Sequence, residues 1–228
     1  MSEFVQIVTV IQEADLFTLL NLLRSSPSAF QSRLKTHISD LQACLAAPKA
    51  GLRSPEAIAK AISVLSEAER VVDSAKTVTR LHLSVGLSQA ARDVVCSIGP
   101  FGFLAPVQKD QPVSLTFYPK YGSVRQLPVL ENFAYDFPNA LEALCSILVS
   151  TRSEVHGEAE GLGNARVRVV GVAAGLHQSM RNCAVIVSCG NYFEKQSTRP
   201  ETVGLSLPAE AELFPIGLGK SVLKVSPI

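Results

Sequence analysis

Charge is scarce in this sequence of 228 residues. Charged residues make up 18% of the chain and hydrophobic residues 47%, whereas soluble globular chains ordinarily carry about 25% charged residues. A monomer with so few charges has little polar surface with which to cover itself, so part of the surface is expected to be buried against other copies or a partner. The composition therefore predicts a homo-oligomer.

An excess of charge of either sign is also missing. The chain has 10 basic and 9 acidic residues up to Pro100, and 11 of each after it. There is no basic arm or tail, which excludes the strongly basic kind of nucleic-acid-binding domain whose cations displace counterions from phosphates. A local basic patch on the surface is still compatible with this charge balance.

Signals for disulfide bonding, secretion and membrane insertion are absent. No CxxC pair and no Asn-x-Ser/Thr sequon occurs, and polar residues interrupt the amino-terminal MSEFVQIVTVIQEADLF, unlike a secretory signal. The longest apolar runs fall far short of the ~20 residues that a membrane helix needs. We therefore expect a reducing, cytoplasmic location (host cytoplasm or virion for a viral chain) and no membrane span.

Catalytic and metal-binding patterns are missing too. No histidine has a second ligand at zinc spacing on a shared element, and the acidic run at 154–160 is typical of a solvated, glycine-bearing loop. A nucleophile pair of Cys145 or Cys183 with His156 or His177 is disfavoured, because both cysteines lie in apolar runs where burial raises the thiol pKa. We predict no catalytic residue, no metal site and no small-molecule cofactor.

The stretch GLGKS, residues 217–221, is similar to the second half of a phosphate-binding P-loop. The leading glycine of GxxxxGK[ST] is replaced by Phe214, and only seven residues follow Ser221, too few to open a helix over a phosphate. We interpret the stretch as a glycine turn before a terminal strand over 222–225.

A change in composition near Gly99–Pro100 divides the chain into a helical region, 1–99, and a β-rich region, 100–228. The first region holds 3 of the 14 glycines and 3 of the 14 aromatic residues. Its patterns predict a helix from Asp15, one opening at Ser26–Pro27, one capped by Ser54 with Pro55 in its first turn, and a short helix capped by Ser88 after a break at Gly86.

The second region is predicted to form strands around one inserted helix. That helix is expected near 137–151 with Asp136 as its N-cap. Cys183–Cys189 is apolar on both faces and should be a central, covered strand with Ala165–Ala173 as its neighbour. Strands that follow helices favour an α+β fold, with the helical part packed on a mainly antiparallel sheet. The other strand candidates are Val113–Tyr118, Val124–Leu130, Thr202–Leu207 and Val222–Val225.

Basic and aromatic side chains are interleaved in the second region, and arginines next to aromatics can bind a single-stranded nucleic acid. The same residue types are ordinary in protein interfaces. The aromatic residues are Tyr118, Tyr121, Tyr192 and Phe193. The candidate nucleic-acid-binding residues are Lys120, Arg125, Arg166, Arg168 and Arg181, with Lys195 and Arg199 nearby.

Together these patterns predict a non-enzymatic, self-assembling structural protein of the coat, shell or matrix type. We expect a viral origin because a chain of this size without enzyme motifs is typical of viral structural proteins, which is an argument from analogy. The alternative is an accessory or regulatory protein that binds nucleic acid through the arginines and aromatics of the second region.

Overall fold

The computed structural model describes residues 13–47, 53–104, 117–153 and 162–195. Three helices come first: α1 (Glu13–Ser25), α2 (Pro27–Ala46) and α3 (Pro55–Asp73). The helices α2 and α3 begin where the sequence predicted, because Pro27 and Pro55 occupy first-turn positions and the Ser54 hydroxyl accepts a hydrogen bond from the Ala57 amide.

A four-stranded sheet and three more helices follow. The elements are β1 (His82–Leu83), α4 (Val85–Ile98), a 3₁₀ turn (Gly99–Phe101), α5 (Tyr118–Tyr121), β2 (Gly122–Tyr135), α6 (Ala140–Ser153), β3 (Val169–Leu176) and β4 (Asn182–Glu194). The strand order is β1-β3-β4-β2, and only the short β1–β3 pair is parallel. The predicted α+β class is confirmed: a helical amino-terminal half, then a mainly antiparallel sheet with α6 inserted.

Helices cover both faces of the sheet. Ala184 and Ile186 of β4 lie in one core with α1, α2, α3 and α6, whereas Val185 and Val187 lie in a second core with α4. Successive side chains of a strand point to opposite faces, so a strand that is apolar at every position must be covered on both. The prediction that Cys183–Cys189 is a central, covered strand is confirmed.

The caps of two helices differ from the sequence prediction. Ser84 rather than Ser88 caps α4, and Gly86 lies inside its first turn, where an added Cβ would come within 3.0 Å of the Tyr192 ring. Asn139 rather than Asp136 bonds the first turn of α6, by accepting a hydrogen bond from the Glu142 amide. In both places the residue predicted to cap has a tertiary partner instead: the Ser88 hydroxyl accepts a hydrogen bond from the Val172 amide, and Asp136 pairs with Arg181.

Several of the predicted strands also differ from the structure at their ends, and β2 (Gly122–Tyr135) extends beyond the predicted Val124–Leu130 on both sides. Tyr118, the last residue of the candidate strand Val113–Tyr118, opens the short helix α5, and the rest of that candidate is outside the described residues apart from Phe117. β3 begins at Val169 rather than Ala165, because the chain turns at Ala165–Arg166.

The chain up to Lys195 forms one compact unit, in which helices from before Gly99 and strands from after it share both cores. Residues 196–228, with the candidate strands Thr202–Leu207 and Val222–Val225 and the GLGKS turn, lie outside the described residues. Within those that are described, no helix combines the length and apolar character needed to cross a membrane.

Candidate interaction surfaces

An exposed apolar patch lies where the end of α4 meets the turn between β3 and β4. We call it the hairpin patch, and define it as Phe101, Phe103, Leu104 and Leu176. These side chains are 64%, 62%, 57% and 62% exposed, and the Phe101 and Phe103 rings stack with their centroids 5.8 Å apart. Together they present on the order of 400 Å² of apolar surface, as large as the biggest patch on a typical monomer, which is often functional.

Two glycines shape the hairpin patch. An added Cβ at Gly99 would lie 2.4 Å from the carbonyl oxygen of Leu176, so only glycine lets the end of α4 approach β3 this closely. Gly102 has a φ of 67°, in the left-handed region that glycine adopts without strain. These positions reverse the chain so that Phe101 and Phe103 come onto the same surface.

His177 connects the segment after α4 to the turn between β3 and β4 through hydrogen bonds. Its side chain is 4% exposed, and its Nδ1 accepts a hydrogen bond from the Met180 amide at 3.1 Å. Its Nε2 must therefore carry the ring proton, which it donates to the Phe103 carbonyl oxygen at 2.9 Å. The Tyr135 ring packs edge-on against the imidazole at 5.3 Å. These bonds tie the backbone at Phe103 to the turn between β3 and β4.

The candidate nucleic-acid-binding residues do not gather at one place. Lys120 lies before β2, and its Nζ is 3.2 Å from Oδ2 of Asp93. Arg181 lies before β4, and its Nε is 2.7 Å from Oδ1 of Asp136. Because Gly122 pairs with Glu194 at one end of β4 and Tyr135 with Cys183 at the other, Lys120 and Arg181 stand at opposite ends of a 13-residue strand, about 40 Å apart.

Arg166 and Arg168 come together just before β3, and both are exposed. Arg125 lies in β2, with its side chain outside the described residues. The aromatic candidates Tyr118 and Tyr192 are buried, and the Tyr192 hydroxyl donates to the Tyr118 carbonyl oxygen at 3.0 Å. Burial raises the pKa of both phenols. These two rings stabilise the core beside α4, and Phe193 is the exposed aromatic of this set.

Arg24 was not singled out from the sequence, yet it is among the most buried side chains of the described residues. Its guanidinium donates to four carbonyl oxygens: Thr79 at 2.9 Å, Leu162 at 2.6 Å, Asn164 at 3.1 Å and Val167 at 3.1 Å. Burial, and after it the charge of Arg168, lowers its pKa to about 10. The sequence could have indicated that Arg24 is buried, because Leu16, Leu20 and Arg24 are spaced four residues apart and therefore share one face of α1.

Glu142 is a second buried charge that the sequence reasoning missed. Its side chain is 2% exposed, and its Oε1 accepts hydrogen bonds from Arg53 Nη1 at 2.8 Å, His37 Nε2 at 3.1 Å and Asn139 Nδ2 at 3.1 Å. Burial raises the pKa of this carboxyl, but the bonds from His37 and Arg53 outweigh burial and hold it below its usual value. The cluster joins α2, the start of α3 and α6, and its bonding is that of a structural ion pair.

The cysteines and histidines form no reactive constellation in the part of the chain that the structure describes. No group of three or more potential metal ligands occurs there. Cys145, Cys183 and Cys189 are buried, and burial raises the pKa of each thiol, to about 11 for Cys183 and Cys189. Both ring nitrogens of His177 are occupied by backbone groups, and His156 is outside the described residues.

No family model, curated protein or solved structure matches this chain. Among the described residues, the hairpin patch and the exposed arginines on the segments that Arg24 joins are surface features that packing inside the subunit does not explain.

Proposed function

We propose that the protein is a non-enzymatic, self-assembling structural protein of the coat, shell or matrix type found in viruses, and that copies of the chain associate through the hairpin patch. The observation that carries this proposal is the exposure of the four large apolar side chains of the hairpin patch. In water such a surface favours association with another protein surface, because burial of apolar area lowers the free energy by about 25 cal/mol per Å².

A second copy of the same chain is the occupant that best fits the hairpin patch. The low charge of the whole chain supports burial of surface in an assembly. The patch also has the make-up of an interface core, with stacked phenylalanines at its centre and the Arg181–Asp136 ion pair on the adjoining turn. Two copies related by a two-fold axis would each bury the same patch, which is the commonest way that identical subunits close an interface.

The proposed assembly takes place in a reducing, cytoplasmic-type compartment. All five cysteines are free thiols, and three of them are buried in the cores. A secreted protein of this size would ordinarily use such residues as disulfides.

Light scattering coupled to size-exclusion chromatography tests the proposal on the full chain. We expect the wild type to form oligomers at micromolar concentration, with regular particles visible by negative-stain electron microscopy. The double variant Phe101→Ser/Phe103→Ser should weaken association by about a thousandfold, because each of the two lost aromatic anchors of an interface costs about 2 kcal/mol.

The matched control is Val85→Ser/Phe193→Ser, which removes two exposed apolar side chains near the junction of β1 and α4 and at the end of β4. This control should associate like the wild type. A wild type that stays monomeric over the whole concentration range would refute self-assembly. Equal losses in the two double variants would refute the hairpin patch as the interface.

A further inference from the structure

Arg24 joins two distant segments of the chain at one end of the sheet. Its Nε binds the carbonyl oxygen of Thr79, the residue before Arg80, and its Nη2 binds that of Val167, the residue between Arg166 and Arg168. The His82 amide also donates to the Arg168 carbonyl oxygen at 2.8 Å. The backbone segment that carries Arg80 is thereby held next to the segment that carries Arg166 and Arg168, some 86 positions later in the chain, with the buried Arg24 bonded to both.

The two segments that carry these arginines contain no acidic residue of their own, and the Glu194 carboxylate that reaches the end of the first segment accepts hydrogen bonds from the Ser84 hydroxyl and the Gly86 amide. The stretches 74–84 and 162–170 contain Lys76, Arg80, Arg166 and Arg168, and neither contains Asp or Glu. The described arginines elsewhere are mostly paired: Arg53, Arg70, Arg92 and Arg181 each have a carboxylate oxygen within 2.9 Å.

Arg24 adds to this charge rather than relieving it. Its four partners are carbonyl oxygens, which carry no charge, and the lowering of its pKa comes in part from repulsion by Arg168. A cluster of like charges over a buried cation produces a positive local potential that attracts an anion.

We propose that Arg80, Arg166 and Arg168, together with the exposed ring of His82, bind the phosphodiester backbone of a single-stranded nucleic acid. A guanidinium presents its N–H groups as a planar fork that matches the oxygens of a phosphate. His82 lies on the exposed edge strand β1, two residues after Arg80. Unpaired bases stack on histidine rings and on guanidinium planes, which favours a single-stranded nucleic acid over an acidic peptide.

Arg24 is a positioning residue in this site. It is buried, and it acts on the ligand only through the two segments that it holds together. The proposed site is distinct from the hairpin patch, since β3 begins beside Arg168 and ends at Leu176 of the patch. The inference therefore does not depend on self-association.

Fluorescence anisotropy with a labelled oligouridylate of about 20 nucleotides tests this site. Binding by the full chain should weaken steeply as NaCl rises from about 50 to about 300 mM, because bound arginines release counterions from the strand. The variant Arg80→Gln/Arg166→Gln/Arg168→Gln should bind about tenfold more weakly or worse at low salt. The slope of log affinity against log salt should fall by about 2, since each phosphate contact contributes about 0.7.

A matched control removes three cations that lie outside the cluster. Arg33→Gln/Lys35→Gln/Lys60→Gln, at exposed positions of α2 and α3, has the same change in net charge and should keep both the affinity and the salt slope of the wild type. The single variant His82→Ala should bind about fivefold more weakly with an unchanged salt slope, because stacking releases no counterion. The variant Arg80→Lys/Arg166→Lys/Arg168→Lys keeps the charge and should keep the slope, which separates loss of charge from loss of fold.

Several results would overturn the inference. These are no binding by the wild type at low salt, equal losses in the cluster variant and its control, or displacement of the oligouridylate by polyglutamate of equal charge as readily as by unlabelled oligouridylate. The monomeric Phe101→Ser/Phe103→Ser variant should still bind the oligouridylate, so a failure of self-assembly and a failure of this site give different results.

Discussion

The Nη1 atom of Arg24 lies 2.6 Å from the carbonyl oxygen of Leu162, a residue 138 positions further along the chain. Backbone carbonyls inside a protein need hydrogen-bond partners, and here one side chain of α1 supplies them to irregular segments that no strand or helix can satisfy. The cost of burying the guanidinium is offset by its four acceptors.

Replacing Arg24 should therefore destabilise the protein strongly. We expect Arg24→Met, which keeps much of the volume, to lower the free energy of unfolding by about 3 kcal/mol or more, because it leaves buried carbonyl oxygens without donors. Urea denaturation followed by circular dichroism measures the change. Arg33→Met, on the exposed face of α2, is the control and should stay within about 0.5 kcal/mol of the wild type. Similar midpoints for the two variants would contradict the structural role given to Arg24.

Glu142 should make stability depend on pH. Its folded-state pKa is held below the unfolded value of 4.5, so its contribution is fully present above that pH and is lost as the pH falls through the folded pKa. We expect Glu142→Gln to cost about 2–4 kcal/mol near neutral pH, because it leaves Arg53 without its carboxylate. The gap to the wild type should narrow below about pH 4.

Denaturation curves of Glu142→Gln and the wild type at several pH values measure that gap. Glu69→Gln removes a more exposed carboxylate, which lies 3.6 Å from Lys35, and serves as the control. It should cost less than about 1 kcal/mol. A constant gap between wild type and Glu142→Gln down to low pH would count against the ionised, paired state of Glu142.

Gly171 sets how closely α4 approaches the sheet. An added Cβ would lie 2.2 Å from the carbonyl carbon of Leu87 and 2.4 Å from the amide nitrogen of Ser88, and these backbone atoms cannot move without shifting α4. We expect Gly171→Ala to cost about 2–4 kcal/mol in thermal or chemical unfolding. Gly163→Ala is the matched control, because nothing lies within 4 Å of its added Cβ. A neutral Gly171→Ala would mean that α4 sits further from β3 than described.

The five cysteines should differ in how fast iodoacetamide alkylates them in the native protein. Cys44 and Cys96 are exposed and should be alkylated in the native protein near neutral pH. Cys145, Cys183 and Cys189 are buried with raised pKa values, so they should react only after unfolding. Mass spectrometry of digested, labelled protein reads out each site. Rapid labelling of Cys145 in the native protein would contradict its place in the core.

Sequence patterns were informative where structure depends on neighbouring residues. Pro27 and Ser54–Pro55 located the starts of α2 and α3 because capping and the fixed φ of proline act within one turn. The apolar stretch Cys183–Cys189 located the central strand, because it does not alternate between apolar and polar residues and a strand covered on both faces has no polar side.

The patterns failed where two residues were equally suited to a local role. Ser84 and Ser88 both precede apolar helical residues, and Ser88 does not cap α4 because its hydroxyl accepts a hydrogen bond from the Val172 amide. Asp136 is likewise paired with Arg181, which leaves Asn139 to bond the first turn of α6. In both cases the partner, Val172 or Arg181, comes much later in the chain.

The sequence by itself determined the starts of α2 and α3, the central strand and the low charge from which self-association is proposed, because capping, periodicity and composition are local or additive properties. Only the tertiary structure decided which exposed residues share a surface. His177 bonds the Phe103 carbonyl oxygen to the hairpin, and Arg24 bonds the carbonyl oxygens of Thr79 and Val167, the neighbours of Arg80 and of Arg166 and Arg168. Such contacts join residues that no window along the chain contains together, since they form only when burial brings the two segments into the same low-dielectric interior.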